Sequence, residues 1–510
     1  MTTTVPGPHQ DSIVELPMWQ WQTEVPAQIQ GGARFAGMYC TTHRHRTMLD
    51  ALLVVGDQVR CFRTVLEPDA DGRFSYPALT PHVPAAFWYE RAIHDLSDVT
   101  AEGHPRLDPL LLPRDPGQPS PRPGYAGSAL FEGHIHSRAA DTRGPVDMGG
   151  RGMFSLPLGP VRSGVFESIE FLIETPGENI PHMNIRPHYK HRGIAKRFEG
   201  QSIPDALLVA ERVEGVASVA HALALAHAAE ALSGTVAPRR ARLLRLVHAE
   251  LERIANHLDV VIRMCESAGL AVPQAHFGWH KENVMRLVSA MCGNRFGRNV
   301  VCLGGIGRVP GLPPEQIIAR LLPVAKRIES DRRWLMDDST FLDRLRGTGR
   351  LDPQLAASHG ALGPVGRGSG CNNDARTRPY DAYDEIAPST IAVDERGDVQ
   401  ARLKVRFTEI STSVEMISEA CDRLLTLTDA PLVAAVDGVP DGCAVGWAEA
   451  PQGEVLYSLH MDGGRVRRCF ARSASLHNLL LFHDVFGGDI FTDFPFIEAS
   501  FGLSYAGVAM

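Results

Sequence analysis

The chain has 510 residues, of which 44% are hydrophobic and 22% are charged, and its formal net charge is -8. This length can bury a large core and fill two or three domains. The mildly acidic balance, with no dense run of lysine and arginine, excludes a basic nucleic-acid-binding surface.

The cysteines and the N-terminal segment point to a reducing compartment. Nine cysteines are scattered along the chain and no two are separated by two residues, which favours free thiols over a disulfide framework. Residues 1–22 have neither the basic start nor the apolar run of a signal peptide. The most apolar helical pattern, residues 216–229, is too short to cross a bilayer. We therefore expect a cytoplasmic protein without its own transmembrane helix, which reaches a membrane through partner subunits.

The N-terminal part of the chain predicts a small α/β domain. Residues 31–62 alternate apolar and polar positions around the turn residues Gly56 and Asp57, which predicts strands. A helix is predicted over residues 85–95. Residues 113–150 are rich in proline and glycine, which is typical of a linker. We predict a first domain over 1–112, a linker over 113–150 and a second domain over 151–510.

The second domain is predicted to be mainly helical, so the fold class is α+β. Two strands are predicted, over residues 164–173 and after Gly177-Glu178, followed by helical sequence from about residue 203. Apolar residues at spacings of three and four predict a helix over 240–262. Helical patterns return at 314–336 and 409–427, and residues 433–475 alternate as in a small antiparallel sheet.

Two segments of the first domain carry a motif, namely Trp88–Leu96 and Glu102–Leu107. They contain Glu-Arg, Asp-Leu and Gly-His-Pro in an arrangement that resembles the signature of the 30-kDa subunit of complex I. The match departs from that signature at Ala92, Ser97 and Asp98. The resemblance implies a docking domain, so we assign no catalytic residues to it.

The second domain carries a longer series of motifs, all in chain order. From residue 157 onward they resemble the large subunits of energy-converting (group 4) nickel–iron hydrogenases, including formate hydrogenlyase subunit 5, and the related 49-kDa subunit of complex I. The fusion of both modules is the arrangement of formate hydrogenlyase subunit 5. The segments that carry the resemblance are Gly159-Pro160, Gly177–Ile180, His191–Gly193, Glu250–Leu258, Gly304–Ile306, Arg367–Gly370, Asp374–Arg376 and Pro379–Tyr383.

The resemblance also locates four metal-ligand positions, and none of them holds cysteine. The hydrogenase family binds nickel and iron through Arg-x-Cys-Gly-x-Cys near one end of this domain and Asp-Pro-Cys-x-x-Cys near the other. Soft thiolates hold both metals, and a carboxylate with a hydroxyl does not replace four of them. We predict that the nickel–iron centre is absent and do not expect the chain to be an active hydrogenase by itself; a ligand from Cys302 or Cys371 is the alternative. The four positions hold Glu214, Ala217, Ser504 and Gly507.

A quinone pocket is the second possibility that the resemblance raises. In complex I the vacated metal cavity receives the quinone headgroup, with a histidine and a tyrosine whose positions fall here at about Ser163 and at Gly215. Neither residue type is kept. Nearby polar side chains, Arg162 and His182, could line a quinone-like pocket with Glu214. We assign no other cofactor to this chain, and the iron–sulfur cluster implied by the resemblance belongs to a partner subunit.

Several charged and polar residues in these motifs are predicted to be buried. On the helix over 240–262, Glu250, Arg253 and His257 share one face because they are spaced by three and four. Buried charges need partners, so a static ion-pair network is one interpretation. A proton or charge relay is the other, with Glu214 as its leading member. The candidates are His191, Arg192, Arg212, Glu214, His221, Glu250, Arg253, His257, Arg367 and Asp374.

The sequence thus predicts the large subunit of a membrane-associated oxidoreductase complex of the formate hydrogenlyase or NADH-quinone oxidoreductase type. Its role would be electron transfer to quinone or redox-coupled ion translocation. The resemblance implies an iron–sulfur small subunit and antiporter-like membrane subunits as partners, on the inner face of the cell membrane. The alternative is a non-catalytic scaffold subunit of such a complex.

Overall fold

A computed structural model describes residues 13–44, 46–113, 152–162, 164–165 and 167–510. In the N-terminal domain a four-stranded sheet has the order β1-β4-β3-β2, with β1 parallel to β4 and the other pairs antiparallel. Helix α1 packs on β4, helix α2 packs on β2, and β5 pairs with β6. The elements are β1 Ile13–Glu15, α1 Met18–Gln30, β2 Arg34–His43, β3 Arg46–Val55, β4 Gln58–Leu66, β5 Phe74–Pro77, α2 Phe87–Ser97 and β6 Val99–Glu102.

The C-terminal domain is mainly helical and contains two three-stranded antiparallel sheets, β7-β8-β9 and β12-β13-β14. Its strands are β7 Phe154–Leu158, β8 Glu170–Thr175, β9 His182–Arg186, β10 Val301–Cys302, β11 Gly305–Ile306, β12 Gly442–Ala450, β13 Gly453–Asp462 and β14 Arg465–Arg472. Its helices are α3 Ile194–Phe198, α4 Ile203–Ala210, α5 Ser218–Ser233, α6 Arg239–Ser267, α7 Ala271–Cys292, α8 Pro314–Asp337, α9 Ser339–Leu345, α10 Pro353–Ser358, α11 Gly363–Arg367, α12 Val399–Leu424, α13 Ala474–Leu479, α14 Phe494–Phe501 and α15 Tyr505–Ala509.

The core of this domain forms around α5 and α6. Nearly every side chain of α5 is buried, because the helix lies between α4 and the sheet β12-β13 and is rich in alanine and leucine. Helix α6 is amphipathic and packs on α7 and α12. The β13–β14 turn is Gly463-Gly464 with φ of 59° and 70°, the left-handed conformation that tight hairpins require. Among the described residues no helix is both long and apolar enough to span a membrane.

The predicted α+β class, with its small N-terminal sheet and its mainly helical second domain, is confirmed. Two predicted elements differ in extent. The strand expected over 164–173 begins at residue 170, since residues 162 and 165 form only an isolated bridge, and the helix expected over 409–427 already begins at residue 399. Apart from Pro113, the predicted linker over 113–150 lies outside the described residues, as do Ser163 and residues 1–12. The domain boundaries stay a prediction.

A buried carboxylate joins the two domains. Glu454, at the start of β13, pairs with Arg378 and Arg472 of its own domain and with Arg34 of β2, whose Nη2 lies 2.8 Å from Glu454 Oε2. Arg472 also donates a hydrogen bond to the carbonyl of Ala36. A carboxylate shared by three guanidinium groups is fully compensated, so this buried contact holds β2 against β13 and β14.

Replacing Arg34 with glutamine is expected to loosen this contact without unfolding either domain. Glu454 would keep two arginines, so the lost charge-assisted hydrogen bond costs only about 1–2 kcal/mol. Limited proteolysis and thermal unfolding of the purified protein measure this loss. Arg46 serves as the control, because its pair with Glu15 is exposed and its change to glutamine should shift stability by less than about 0.5 kcal/mol. Equal effects of the two substitutions would contradict the inter-domain role.

Candidate functional site

The carboxyl group of Glu214 fills the space beside Gly507, so two of the four predicted ligand positions face each other. Glu214 follows α4 and is 1% exposed, while Gly507 lies in α15 near the other end of the domain. A Cβ atom built on Gly507 would lie 1.7 Å from Glu214 Oε1 and 2.5 Å from the carboxyl carbon. Any side chain at position 507 would therefore overlap Glu214.

Three side chains surround this carboxyl group. Ser473 donates a hydrogen bond to Glu214 Oε1, and His221 Nε2 lies 3.6 Å from the same oxygen. The other ring nitrogen of His221, Nδ1, is 2.7 Å from the hydroxyl of Tyr457 in β13. Among the described residues, Glu214 Oε2 and His221 Nε2 have no hydrogen-bond partner although both are buried. A line of ionisable groups thus runs from Glu214 through His221 to Tyr457.

The third ligand position, Ser504, is the N-cap of α15. Its hydroxyl accepts a hydrogen bond from Gly507 N at 3.3 Å and donates to the carboxylate of Glu167, at 3.0 Å from Oε1. Glu167 also accepts a hydrogen bond from Ala506 N. A serine cap and a carboxylate at the first turn both stabilise a helix N-terminus. The fourth position, Ala217, is fully buried and directly precedes α5.

Two residues of the predicted relay hold α15 in place. Arg192 donates hydrogen bonds to the carbonyls of Val213 and Ala506, at 2.6 and 3.0 Å, and so connects the segment before Glu214 with the C-terminal helix. His191 Nδ1 lies 2.7 Å from the carbonyl of Ala509, which fixes the proton on that nitrogen. Burial lowers the pKa of His191, so its ring is neutral near pH 7.

Five other predicted relay residues, Glu250, Arg253, His257, Arg367 and Asp374, belong to a second buried cluster around Glu409, which we call the Glu409 cluster. Arg367 Nε donates to Glu409 Oε1 at 2.9 Å, and His257 Nε2 lies 2.8 Å from Oε2. Arg253 Nη1 is 3.8 Å from the same carboxylate. Because His257 Nδ1 accepts from Arg406, its Nε2 carries the proton; burial lowers the pKa of His257 to about 4.

Arg367 extends this cluster to further carboxylates. Its Nη1 lies 3.0 Å from Glu449 and 3.2 Å from Asp374. Asp374 also pairs with Arg376, which reaches Glu250 at 3.2 Å. Burial and the neighbouring Asp374 raise the pKa of Glu449, so this carboxyl group takes up a proton more readily than its neighbours.

Glu250 closes the cluster on α6. It accepts hydrogen bonds from Arg253 at 3.0 Å, from Tyr383 at 2.6 Å and from Ser413 at 2.6 Å. The predicted common face of Glu250, Arg253 and His257 is confirmed, since all three are fully buried and Arg253 and His257 both reach Glu409. So dense a set of paired charges cross-links α6, α11 and α12.

Three predicted residues lie away from these groups. Arg212 was expected to be buried, which is wrong: its side chain is 49% exposed, because it turns outward to donate to the carbonyl of Leu208. Arg162 pairs with Glu498 at 2.5 Å, and His182 lies at the start of β9. Within the described residues no hydrogen bond or ion pair joins Arg162 or His182 to Glu214, and the pocket expected from these three residues stays a prediction.

A cavity that the sequence did not predict lies beside Gly215, between α6 and α7. Its walls are mainly apolar, and its buried polar atoms include His248 Nδ1 and Asn256 Oδ1, both without a hydrogen-bond partner among the described residues. Glu252 lines it too and accepts hydrogen bonds from Val219 N and Ala220 N at the start of α5. Glu252 lies within the motif Glu250–Leu258, but nothing in that motif marked it as a residue of this cavity, because its role depends on the approach of α5.

Stability is expected to depend on pH through Glu252. Burial, with Glu214 nearby, raises the pKa of Glu252 to about 8 although Val219 and Ala220 donate hydrogen bonds to it. A raised carboxyl pKa means that the folded protein binds the proton more tightly than the unfolded chain. The contribution of protonated Glu252 to the free energy of unfolding is therefore complete below about pH 4.5 and is lost as the pH rises to about 8. In denaturant unfolding at several pH values, the free energy of unfolding of Glu252→Gln should decline less between pH 5 and 8 than that of the parent protein. An unchanged slope would contradict the assignment.

The residues at the four ligand positions do not fit a nickel–iron centre. They offer one carboxylate and one hydroxyl, with no thiolate, and the carboxylate occupies the space next to Gly507. Within the described part of the chain, no group of three or more His, Cys, Asp or Glu side chains has an arrangement suited to a metal ion. The chemistry that these side chains can support is proton exchange between the carboxyl group of Glu214, the imidazole of His221 and the phenol of Tyr457.

The chain is similar to subunits of respiratory and hydrogenase complexes. Residues 19–122 match the family model of the 30-kDa subunit of respiratory-chain NADH dehydrogenase, and residues 271–436 match that of its 49-kDa subunit. Formate hydrogenlyase subunit 5 of Escherichia coli is 29% identical over 88% of this chain and 79% of the relative. The carbon monoxide-induced hydrogenase of Rhodospirillum rubrum is 30% identical over 68% of this chain and 96% of the relative.

A solved structure has the same fold. A chain of the membrane-bound sulfane sulfur reductase, an archaeal respiratory membrane complex, aligns with a TM-score of 0.65 at 21% identity and covers 72% of this chain and 100% of that chain. The sequence relatives and the two family models show the family: the chain belongs with the hydrogenase large subunits and the 49-kDa subunit of complex I, and it has a domain of the 30-kDa subunit family at its N-terminus.

Proposed function

We propose that this chain is the large subunit of a membrane-associated oxidoreductase complex that works without a nickel–iron centre. One observation carries the proposal: the Glu214 carboxylate occupies the space in which a ligand side chain at position 507 would stand. The relatives support the complex, because they include a membrane-bound hydrogenase subunit and NADH-quinone oxidoreductase subunits. The absence of the nickel–iron centre and the coupling of redox change to proton movement are proposed from the residues of this chain.

The role of Glu214 in this proposal is to exchange a proton when a neighbouring redox centre changes charge. The carboxyl group has one oxygen without a partner among the described residues and lies 3.6 Å from His221, which in turn contacts Tyr457. Imidazole can take a proton at one nitrogen and release it at the other, so His221 can pass a proton between its two neighbours. This relay would serve redox-coupled ion translocation by the complex.

The same proposal includes electron transfer to quinone. It places the quinone in the cavity beside Gly215 and not in the pocket of Arg162, His182 and Glu214 that the sequence predicted. Arg162 and His182 have no hydrogen bond or ion pair with Glu214 among the described residues, whereas the cavity beside Gly215 combines apolar walls with His248 Nδ1, which has no partner within the described part of the chain. A quinone carbonyl accepts a hydrogen bond from an imidazole N–H, and the quinone ring packs against apolar walls. The iron–sulfur cluster that supplies the electrons would lie in a small partner subunit. Antiporter-like subunits would anchor the complex, with this chain on the inner face of the membrane.

A scaffold without catalytic work is the second candidate, and the Glu409 cluster favours it. The charged members of that cluster are paired, and their contacts connect three helices. Such a network can simply hold helices in register. The scaffold hypothesis predicts that removing the charge of Glu214 changes nothing in turnover.

To test the proposal, the chain is first tagged in its native host. The complex is then extracted in mild detergent, and the proteins that co-purify are identified. We expect an iron–sulfur small subunit and antiporter-like membrane proteins; recovery of the chain alone or with unrelated proteins would contradict the proposal. The assembled complex carrying Glu214→Gln is then expected to lose quinone reduction or coupled ion transport by about a hundredfold. Glu329→Gln, a surface substitution, is the control. Unchanged turnover with intact assembly would leave the scaffold role.

A further inference from the structure

A second cavity lies between the two domains, and Glu214 is not among the residues that line it. One wall is formed by β2, by α2 and by residues 111–112 of the N-terminal domain. The opposite wall consists of α3, β14 and the C-terminal end of α15. The cavity has a volume of about 250 Å³, just below the roughly 300–1,000 Å³ of ordinary small-molecule sites.

The interior of this cavity is apolar. Side chains from both domains face each other across it, among them Ile93, Leu112, Phe470 and Val508. The polar groups of the interior are few, and His191 is one of them. Its Nδ1 is held by the carbonyl of Ala509, so its Nε2 remains a neutral acceptor. Apolar walls with few polar groups are the environment that a hydrocarbon chain prefers.

The mouth of the cavity carries an excess of positive charge. Lys196 and Arg468 both line the cavity, and both bind one carboxylate, that of Glu199, at 2.5 and 2.9 Å. Two cations thus share a single anion. These side chains are partly exposed, with Lys196 at 62%, which places them where the cavity opens to solvent. An anionic head group bound here would neutralise the remaining charge.

We propose that this inter-domain cavity binds a single-chain anionic amphiphile of the fatty-acid class, with its carboxylate at Lys196 and Arg468 and its hydrocarbon tail between α2 and α15. Because the tail contacts both domains, the ligand also stabilises their docking. No step of this proposal depends on the function assigned to Glu214. The chemistry is binding alone, without a covalent change.

Fluorescence of cis-parinaric acid, titrated into the delipidated full chain, tests the proposal, with displacement by palmitate. One saturable site is expected, and shortening the competitor from palmitate to myristate should weaken displacement about tenfold, since each buried methylene contributes to affinity. Hexadecanol, which lacks the charge, should compete less well than palmitate. Absence of saturable binding, or equal displacement by the shorter acid and the longer one, would overturn the proposal.

Variants separate this site from non-specific uptake. Ala92→Trp places an indole in the cavity and is expected to abolish binding. Arg468→Gln removes one rim cation and should weaken binding about threefold, whereas Arg333→Gln, exposed on α8, should not. Circular dichroism verifies that each variant is folded. Undiminished binding by a folded Ala92→Trp variant would overturn the proposal; should that variant not fold, the chain-length series and Arg468→Gln still decide it.

Discussion

Replacing Gly507 with alanine is expected to destabilise the protein by about 3 kcal/mol, although the change adds only one methyl group. The new Cβ would lie 1.7 Å from Glu214 Oε1, and the carboxyl group is held by Ser473 and enclosed by buried neighbours. Either the carboxyl group or α15 must therefore move. Denaturant unfolding of the purified protein measures the loss.

The controls are a matched glycine and a compensating change. A Cβ on Gly487 meets open space, so Gly487→Ala should change stability by less than about 0.5 kcal/mol. Glu214→Ala removes the obstructing carboxyl group, so the double variant Glu214→Ala/Gly507→Ala should be more stable than the sum of the two single effects predicts. If Gly507→Ala behaved like Gly487→Ala, Glu214 would not fill the space at position 507.

Replacing Arg367 with methionine is expected to cost about 3–5 kcal/mol, the usual effect of breaking a buried ion pair. Arg367 is fully buried and lies within 3.2 Å of three carboxylates, those of Glu409, Glu449 and Asp374. Without it, two or three negative charges would face one another in the core. At least one of them would have to take up a proton, so the loss should be smaller at pH 5 than at pH 8.

Thermal and denaturant unfolding at both pH values measure this effect. Arg367→Lys keeps the charge but cannot reproduce the forked geometry, so an intermediate loss is expected. Arg333→Met, whose side chain is 72% exposed, is the control and should stay within about 0.5 kcal/mol of the parent protein. A loss for Arg367→Met that is small or independent of pH would mean that the carboxylates are already protonated or otherwise compensated.

The sequence predicted the fold class and the shared face of Glu250, Arg253 and His257, because spacings of three and four depend only on helix geometry. It assigned no separate helix to the residues of α7, since the apolar positions of that helix are interrupted by polar residues. Strand β8 was placed too early for a related reason: the apolar residues that precede it belong to a loop. Periodicity finds regular elements, and tertiary packing decides where they begin.

The sequence likewise predicted only part of the candidate site. The resemblance marked Glu214 and Gly507 separately, but their mutual fit depends on how the two ends of the domain fold together. Glu409 is the centre of the second cluster and carries no motif, because nothing in a sequence shows which of 59 acidic residues several arginines will surround. Arg212 was misplaced since a motif position gives no direction to a side chain.

The nickel content of the complex tests the central claim most directly. The tagged complex should be purified from its native host, grown with nickel supplied, and its metals measured by plasma mass spectrometry, with a nickel–iron hydrogenase as the reference. We predict iron from the partner subunit and less than about a tenth of a nickel per chain, because the four positions lack thiolates and Glu214 fills the space beside Gly507. One nickel per chain would contradict this claim.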